Sequence, residues 1–141
     1  MIAAGYATHP MVIFRSSAAP YRPVDPTTFV GPGSVQRLAE DDTAVPVGVY
    51  RVAFEAGGRT NWHTHSGPQW LFVVQGRIRV QRQGEASQDL AEGDAVMFAP
   101  HEKHWHGAVP GATGTHIAVN VNLVTTWLEA VSESEYQAIG G

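Results

Sequence analysis

The stretch GGRTNWHTHSGPQWLFVVQG, residues 57–76, reads as two β-strands joined by a tight turn. Side chains alternate along a strand, so residues two apart share a face. His63 and His65 therefore point the same way, with Trp62 and Thr64 opposite. Ser66-Gly67-Pro68 returns the chain, and Gln69 opens the next strand, 69–75. Gln69, Leu71 and Val73 occupy one face of it; Trp70, Phe72 and Val74 occupy the other. Both faces are apolar, the pattern of a strand covered on both sides. The outward row must then meet another sheet, an N-terminal arm or a second subunit. A second His-x-His pair, His104 and His106, lies about forty residues on, in HWHGA. Two such pairs on separate strands converge only if the sheet curls closed. Three imidazoles and an amide oxygen would then suit a divalent first-row metal. A histidine-rich surface without metal is the alternative at this point.

Outward from this stretch the same grammar continues. Short β-favouring runs fall at 34–38, 45–55, 59–65, 69–75, 77–83, 88–91, 95–99, 104–109 and 114–123, cut by Gly57-Gly58, Gly84, Gly93-Asp94 and Pro110-Gly111. Strands at this spacing without intervening helices indicate a sandwich or barrel. Residues 1–27 are rich in Pro and Ala and read as an extended arm, with MVIFR (11–15) as its candidate strand; residues 28–141 form the domain. The segment TTWLEAVSESEYQAI is the helix candidate, and Ser132 with Glu135 fits a capping box. The chain has 141 residues, the length of one domain. It carries 15 Gly and 9 Pro, more than a helical protein would hold, and a net charge of -4 that argues against nucleic acid as a partner. It has no Cys, which excludes thiol nucleophiles and Cys-ligated zinc. No apolar run reaches the ~18 residues of a membrane span, and no basic region precedes the apolar N-terminal stretch. A cytoplasmic protein without membrane partners is the expectation.

The histidine stretch resembles the first motif of the cupin family, G-x5-H-x-H-x3-E-x6-G. It runs Gly57, His63, His65, Gln69, Gly76 with every gap kept and Gln in place of Glu. The second motif, G-x5-P-x-G-x2-H-x3-N, is matched at Gly93 and His104. Ala99, His101 and Ala108 stand at its Pro, Gly and Asn. The phrases FEAGGRTNWHTHSGPQ, GDAVMFAPHEKHWHGAVP, THIAV and TTWLEAVSESEY are similar to the small bacterial cupins that include manganese-dependent hydroxynitrile lyases. That resemblance covers roughly residues 28–137. It implies an all-β double-stranded β-helix, or jelly-roll barrel, with an N-terminal arm and a short C-terminal helix. By position in the motifs it implies metal ligands His63, His65, Gln69 and His104.

An amide ligand cancels no metal charge, so such a site favours Lewis-acid chemistry on a hydroxyl or carbonyl compound over metal oxidation. Mn(II) is the expected ion, with Fe(II), Zn(II) and Ni(II) as competitors. His106, one pleat beyond His104, about 6.5–7 Å along the strand, is the candidate general base. His116 shares a strand face with Ala118 and Asn120. In the resembling lyases the equivalent of His116 faces the site, which makes it the second catalytic candidate. Tyr50, Val52 and Phe54 share a face that the resemblance places in the substrate pocket; strand parity adds Leu71, on the face of Gln69, and Asn120, on the face of His116. Trp62 and Trp105 read as packing residues. The leading expectation is a metal-dependent lyase on a small molecule, cleaving and forming cyanohydrins. The alternatives are an Fe- or Mn-dependent dioxygenase and a non-catalytic ligand-binding cupin. The apolar outward row and the arm point to a homodimer or homotetramer.

Overall fold

A computed structural model describes residues 11–42 and 44–139. Thirteen strands account for about half of it: β1 Tyr21–Pro23, β2 Phe29–Val30, β3 Gly33–Asp41, β4 Val47–Phe54, β5 Arg59–Thr60, β6 His63–His65, β7 Gln69–Gly76, β8 Ile78–Arg82, β9 Gln88–Leu90, β10 Ala95–Phe98, β11 His104–Ala108, β12 Gly114–Val121 and β13 Thr125–Trp127. A 3-10 turn, Ser16–Ala18, precedes them and one helix, α1 Glu133–Gln137, follows. One sheet has the order β1-β3-β4-β12-β7-β10. The other runs β13-β6-β11-β5-β2, with β8 on the far side of β11 and β9 beyond it. From β4 onward the chain passes back and forth between the sheets. That winding wraps two antiparallel sheets around one interior and gives the all-β jelly roll expected from the sequence. No helix among the described residues is long and apolar enough to cross a membrane.

The interior follows strand parity. In β7 burial alternates from Gln69 to Val74, with Leu71 and Val73 inside. They join Val52, Phe54, Ile78, Val80, Phe98, Ala108 and Ala118 in the main core. β11 is buried along its whole length because its two faces meet different partners. His104, His106 and Ala108 turn toward the barrel, while Trp105 packs behind it with Trp62, Val131 and Tyr136. Trp62 and Trp105 thus serve as packing residues, edge to face at 6.5 Å. Gly107 is required here: a Cβ would sit 2.4 Å from Arg59 Cβ and 2.5 Å from the Gly58 carbonyl oxygen. Arg59 itself is buried, donates to the Val131 carbonyl at 2.7 Å and lies 4.3 Å from the Tyr136 ring. It ties the C-terminal segment to the back of β11.

Two expectations change and a third narrows. MVIFR forms no strand; residues 11–15 are exposed and carry no regular structure. The arm's strand lies further along instead: β1 takes the edge of β3, pairing Tyr21 with Gln36 and Pro23 with Ser34. The TTW of the helix candidate is instead strand β13, because it lies along β6 and pairs Trp127 with His63. The capping box stops the helix from starting earlier: the Ser132 hydroxyl accepts from the Glu135 N–H while the Glu135 carboxylate accepts from the Ser132 N–H. Finally, no sheet or arm covers the outward row among the described residues: Trp70, Phe72, Val74 and Met97 are each 42–48% exposed. The arm instead packs near Gln36, whose amide donates to the carbonyls of Ser16 and Ala19.

Candidate metal centre and its pocket

Register brings the two His-x-His pairs together. β6 and β11 are antiparallel neighbours with His104 directly opposite His63, so their rings share the inner face, 4.3 Å between centroids. His65 completes a tight triangle, 4.9 Å from His63 and 5.0 Å from His104. Phe98 stacks flat on His104 at 3.7 Å and fixes its plane. Nitrogen atoms of His63, His104 and His106 all lie within 4.8 Å of one another. The pleat spacing had set His106 farther from the cluster than this.

Hydrogen bonds decide which atoms are free. The His63 Nδ1–H donates to the Asn61 carbonyl at 2.8 Å and the His104 Nδ1–H to the Glu102 carbonyl at 2.7 Å. Because a carbonyl can only accept, both rings are held as the tautomer with a lone pair on Nε2, the form that binds a metal. Gln69 lies opposite Asn120 in the β7–β12 register, and its amide nitrogen donates to Asn120 Oδ1 at 2.8 Å. That leaves Gln69 Oε1 buried and unpartnered, as are His65 Nδ1, His104 Nε2 and His106 Nε2. Buried polar atoms in native structures nearly always have partners. The nitrogens of His63, His104 and His106 converge closely enough to hold a cation, and the unpartnered Gln69 oxygen and His65 nitrogen add neutral donors in the same cavity.

Burial keeps these rings neutral. Removal from water pushes His63 down to about 4, partly offset by its bond to Asn61. It pushes His65 to about 3 and His104 to about 2, with neighbouring imidazoles adding to the effect. His116 falls to about 3 and His106 well below the usual range for the same reason. The two meet across the barrel, His116 Nε2 to His106 Nδ1 at 2.9 Å, one from each sheet. Phe54 packs against this pair, 5.5 Å from the His116 ring. No carboxylate lines the cavity among the described residues.

The cavity beside the cluster has a volume of about 200 Å³. Tyr50, Val52, Gln69, His106, His116 and Asn120 line it; Phe54 and Leu71 belong to the packed core. His104, fully buried, is not among the lining residues. Several contributors were not singled out in the sequence. Thr60 Oγ1 accepts from the His106 N–H at 3.2 Å. Asn61 orients His63 through its carbonyl. Phe29 and Trp127 form part of the wall. Backbone acceptors leave no mark on residue type, and β2 and β13 are too short to show periodicity. His101, which stands at the glycine of the second motif, has φ +67°, and its N–H donates to the His65 carbonyl at 2.7 Å. The glycine preference there has a steric cause, since a side chain is disfavoured at positive φ.

Residues 50–119 match the family described as Cupin domain. The chain is 38% identical over 112 residues to an (R)-mandelonitrile lyase of Granulicella tundricola, covering 77% of this chain and 86% of that protein. A crystal structure of a cupin-like protein from Thermotoga maritima superposes with a TM-score of 0.78 at 35% identity, over 82% of this chain and 90% of that one. A cupin-2 domain from Rhodospirillum rubrum shares the fold at a TM-score of 0.66 and 16% identity, over 90% of this chain and 85% of that one. With its two histidine motifs on neighbouring strands of a jelly roll and a lyase relative matched over most of its length, this chain belongs to the cupin family.

Proposed function

We propose that the protein is a metal-dependent lyase that cleaves and forms cyanohydrins, holding a divalent cation through His63, His65, Gln69 and His104. The observation that carries this reading is the unpartnered Gln69 oxygen, turned inward by the bond from its amide nitrogen to Asn120. It completes a donor set with no negative charge. When bound, a divalent cation supplies Lewis acidity toward a substrate oxygen, and Mn(II) suits the mixed imidazole and amide set. The 38% identity to a mandelonitrile lyase supports the choice of reaction.

The chain's own residues account for the proton. His106 Nε2 is unpartnered, and its Nδ1 is hydrogen-bonded to His116 Nε2. With the shared proton on His106 Nδ1, the Nε2 lone pair is free to accept the hydroxyl proton of a cyanohydrin. The carbon–cyanide bond then breaks with its electron pair leaving on cyanide, and the carbonyl forms. The imidazolium returns its proton to cyanide, releasing HCN. Burial favours the return, because a charged His106 is disfavoured there. Tyr50, Val52 and Ala118 line one side of the cavity with largely apolar surface. The test is elemental analysis of purified protein followed by cyanide release from mandelonitrile. Metal-loaded protein should release cyanide and chelated protein should not. Oxygen uptake without cyanide release would favour the dioxygenase reading.

A further inference from the structure

We propose that Trp127 and Phe29 form a recognition wall for an aryl group, so that the substrate is a small aromatic carbonyl or hydroxyl compound. This rests on the small-molecule reading above and adds residues that no motif contains. β2 and β13 sit end to end along one edge of the 59–65 run: β2 pairs Phe29 with Thr60, and β13 pairs Trp127 with His63. Phe29 and Trp127, from distant parts of the chain, thereby meet with ring centroids 5.9 Å apart at 45°. Trp127 also lies 4.7 Å from the His63 ring and is 40% exposed, which places it at the rim of the cavity rather than in the core. A substrate whose oxygen lies at the imidazole cluster carries its neighbouring substituent past His63 to this wall.

The wall suits a ring better than an alkyl chain. Aromatic rings prefer tilted or edge contacts at 4.5–7 Å, an attraction beyond area burial. Val52 and Ala118, on the other sheet, give the same cavity an aliphatic side. The volume is adequate, since a cavity of ~150 Å³ holds benzene. The wall is also held in advance. Asn61 Nδ2 donates to the Thr27 carbonyl at 3.2 Å and to the Leu128 carbonyl at 3.3 Å, clamping both edge segments beside their aromatic residues. Binding then orders little that is not already fixed.

The experiment compares benzyl alcohol with n-butanol for binding to the metal-loaded protein, by ligand-observed NMR, and mandelonitrile with an aliphatic cyanohydrin for kcat/KM. Trp127→Leu should lower the aryl-over-alkyl ratio roughly three- to tenfold in both measurements, with metal content unchanged. Phe29→Leu should lower it in the same direction, and Trp127→Phe should retain most of it, which keeps the idea testable if Trp127→Leu folds poorly. An unchanged ratio, or equal losses for aryl and alkyl compounds, overturns the proposal and leaves Trp127 as packing for His63. If the wild-type protein cleaves no cyanohydrin, the lyase reading fails while the binding ratio still decides the aryl wall. Wild-type protein that binds benzyl alcohol no better than butanol refutes the wall outright.

Discussion

Acid should unfold the metal-free protein in a narrow window, and the size of the effect follows from the five buried imidazoles. His63, His65, His104, His106 and His116 all titrate below 6.5 in the fold, at about 4 or lower for the four with values. In the unfolded chain each takes up a proton near 6.5. Between those limits the unfolded state binds more protons, so stability falls as pH falls; above about 7.5 neither state binds them and stability levels off. Going from pH 7.5 to 5.5 costs about 1.4 kcal/mol for each ring, roughly 7 kcal/mol for the five. Total stability of a domain is typically ~5–15 kcal/mol, so this change is a large share of it. Urea unfolding of chelator-treated protein at pH 7.5, 6.5 and 5.5, followed by tryptophan fluorescence, measures it. The midpoint should drop modestly between 7.5 and 6.5, where the five rings together cost about 2 kcal/mol, and steeply from 6.5 to 5.5, where they cost about 5 kcal/mol more. A midpoint constant down to pH 5 would mean that the rings are not held neutral, and the electrostatic account of the site would fail with it.

Other expectations are simpler to check. His63→Ala should lose most bound metal by elemental analysis, because the remaining donors make a far weaker chelate; full retention would reject the ligand assignment. His106→Ala should keep metal and lose activity by about 10²–10⁴-fold, the usual contribution of a general base. Metal loss in that variant would make His106 a ligand, in keeping with its nitrogen lying within 4.8 Å of those of His63 and His104. The exposed row of Trp70, Phe72, Val74 and Met97 should pair with a second copy of the chain, so light scattering at micromolar concentration should return a dimer or tetramer mass; a monomer mass would refute this.

The long strands were legible in the sequence because alternation is a local signal. From Gln69 to Val74, or from Gly114 to Ala118, each residue's face can be read from its neighbours two away. The helix start was legible for the same reason, since Ser132 and Glu135 are three residues apart. The short edge strands were not. β2 has two residues and β13 three, and each owes its conformation to the 59–65 run, far off in sequence. MVIFR shows the converse: strong β-favouring residues form no strand, and β1, further along the arm, takes the edge. At the site, residue type and parity place His63, His65, Gln69 and His104 on inward faces. They say nothing of the Asn61 and Glu102 carbonyls that fix the tautomers, or of Asn120 turning the Gln69 oxygen. The contact between His106 and His116 joins two sheets, and only the closed barrel creates it.

The edge shared by β2 and β13 also bears on biosynthesis. A growing chain leaves the ribosome from its N-terminal end, so β2 is available early and β13 emerges only after nearly all the other strands. Until then the half of the run that carries His63 and His65 lacks its outer neighbour. Its backbone N–H and C=O groups along that side are open to any strand that comes near. The rim of the cavity is therefore among the last parts to form. A cation that reaches the histidines before Trp127 is in place meets a shallower, wetter site than the finished one. On the proposed metal site, durable capture of a cation would therefore wait for closure of the barrel edge.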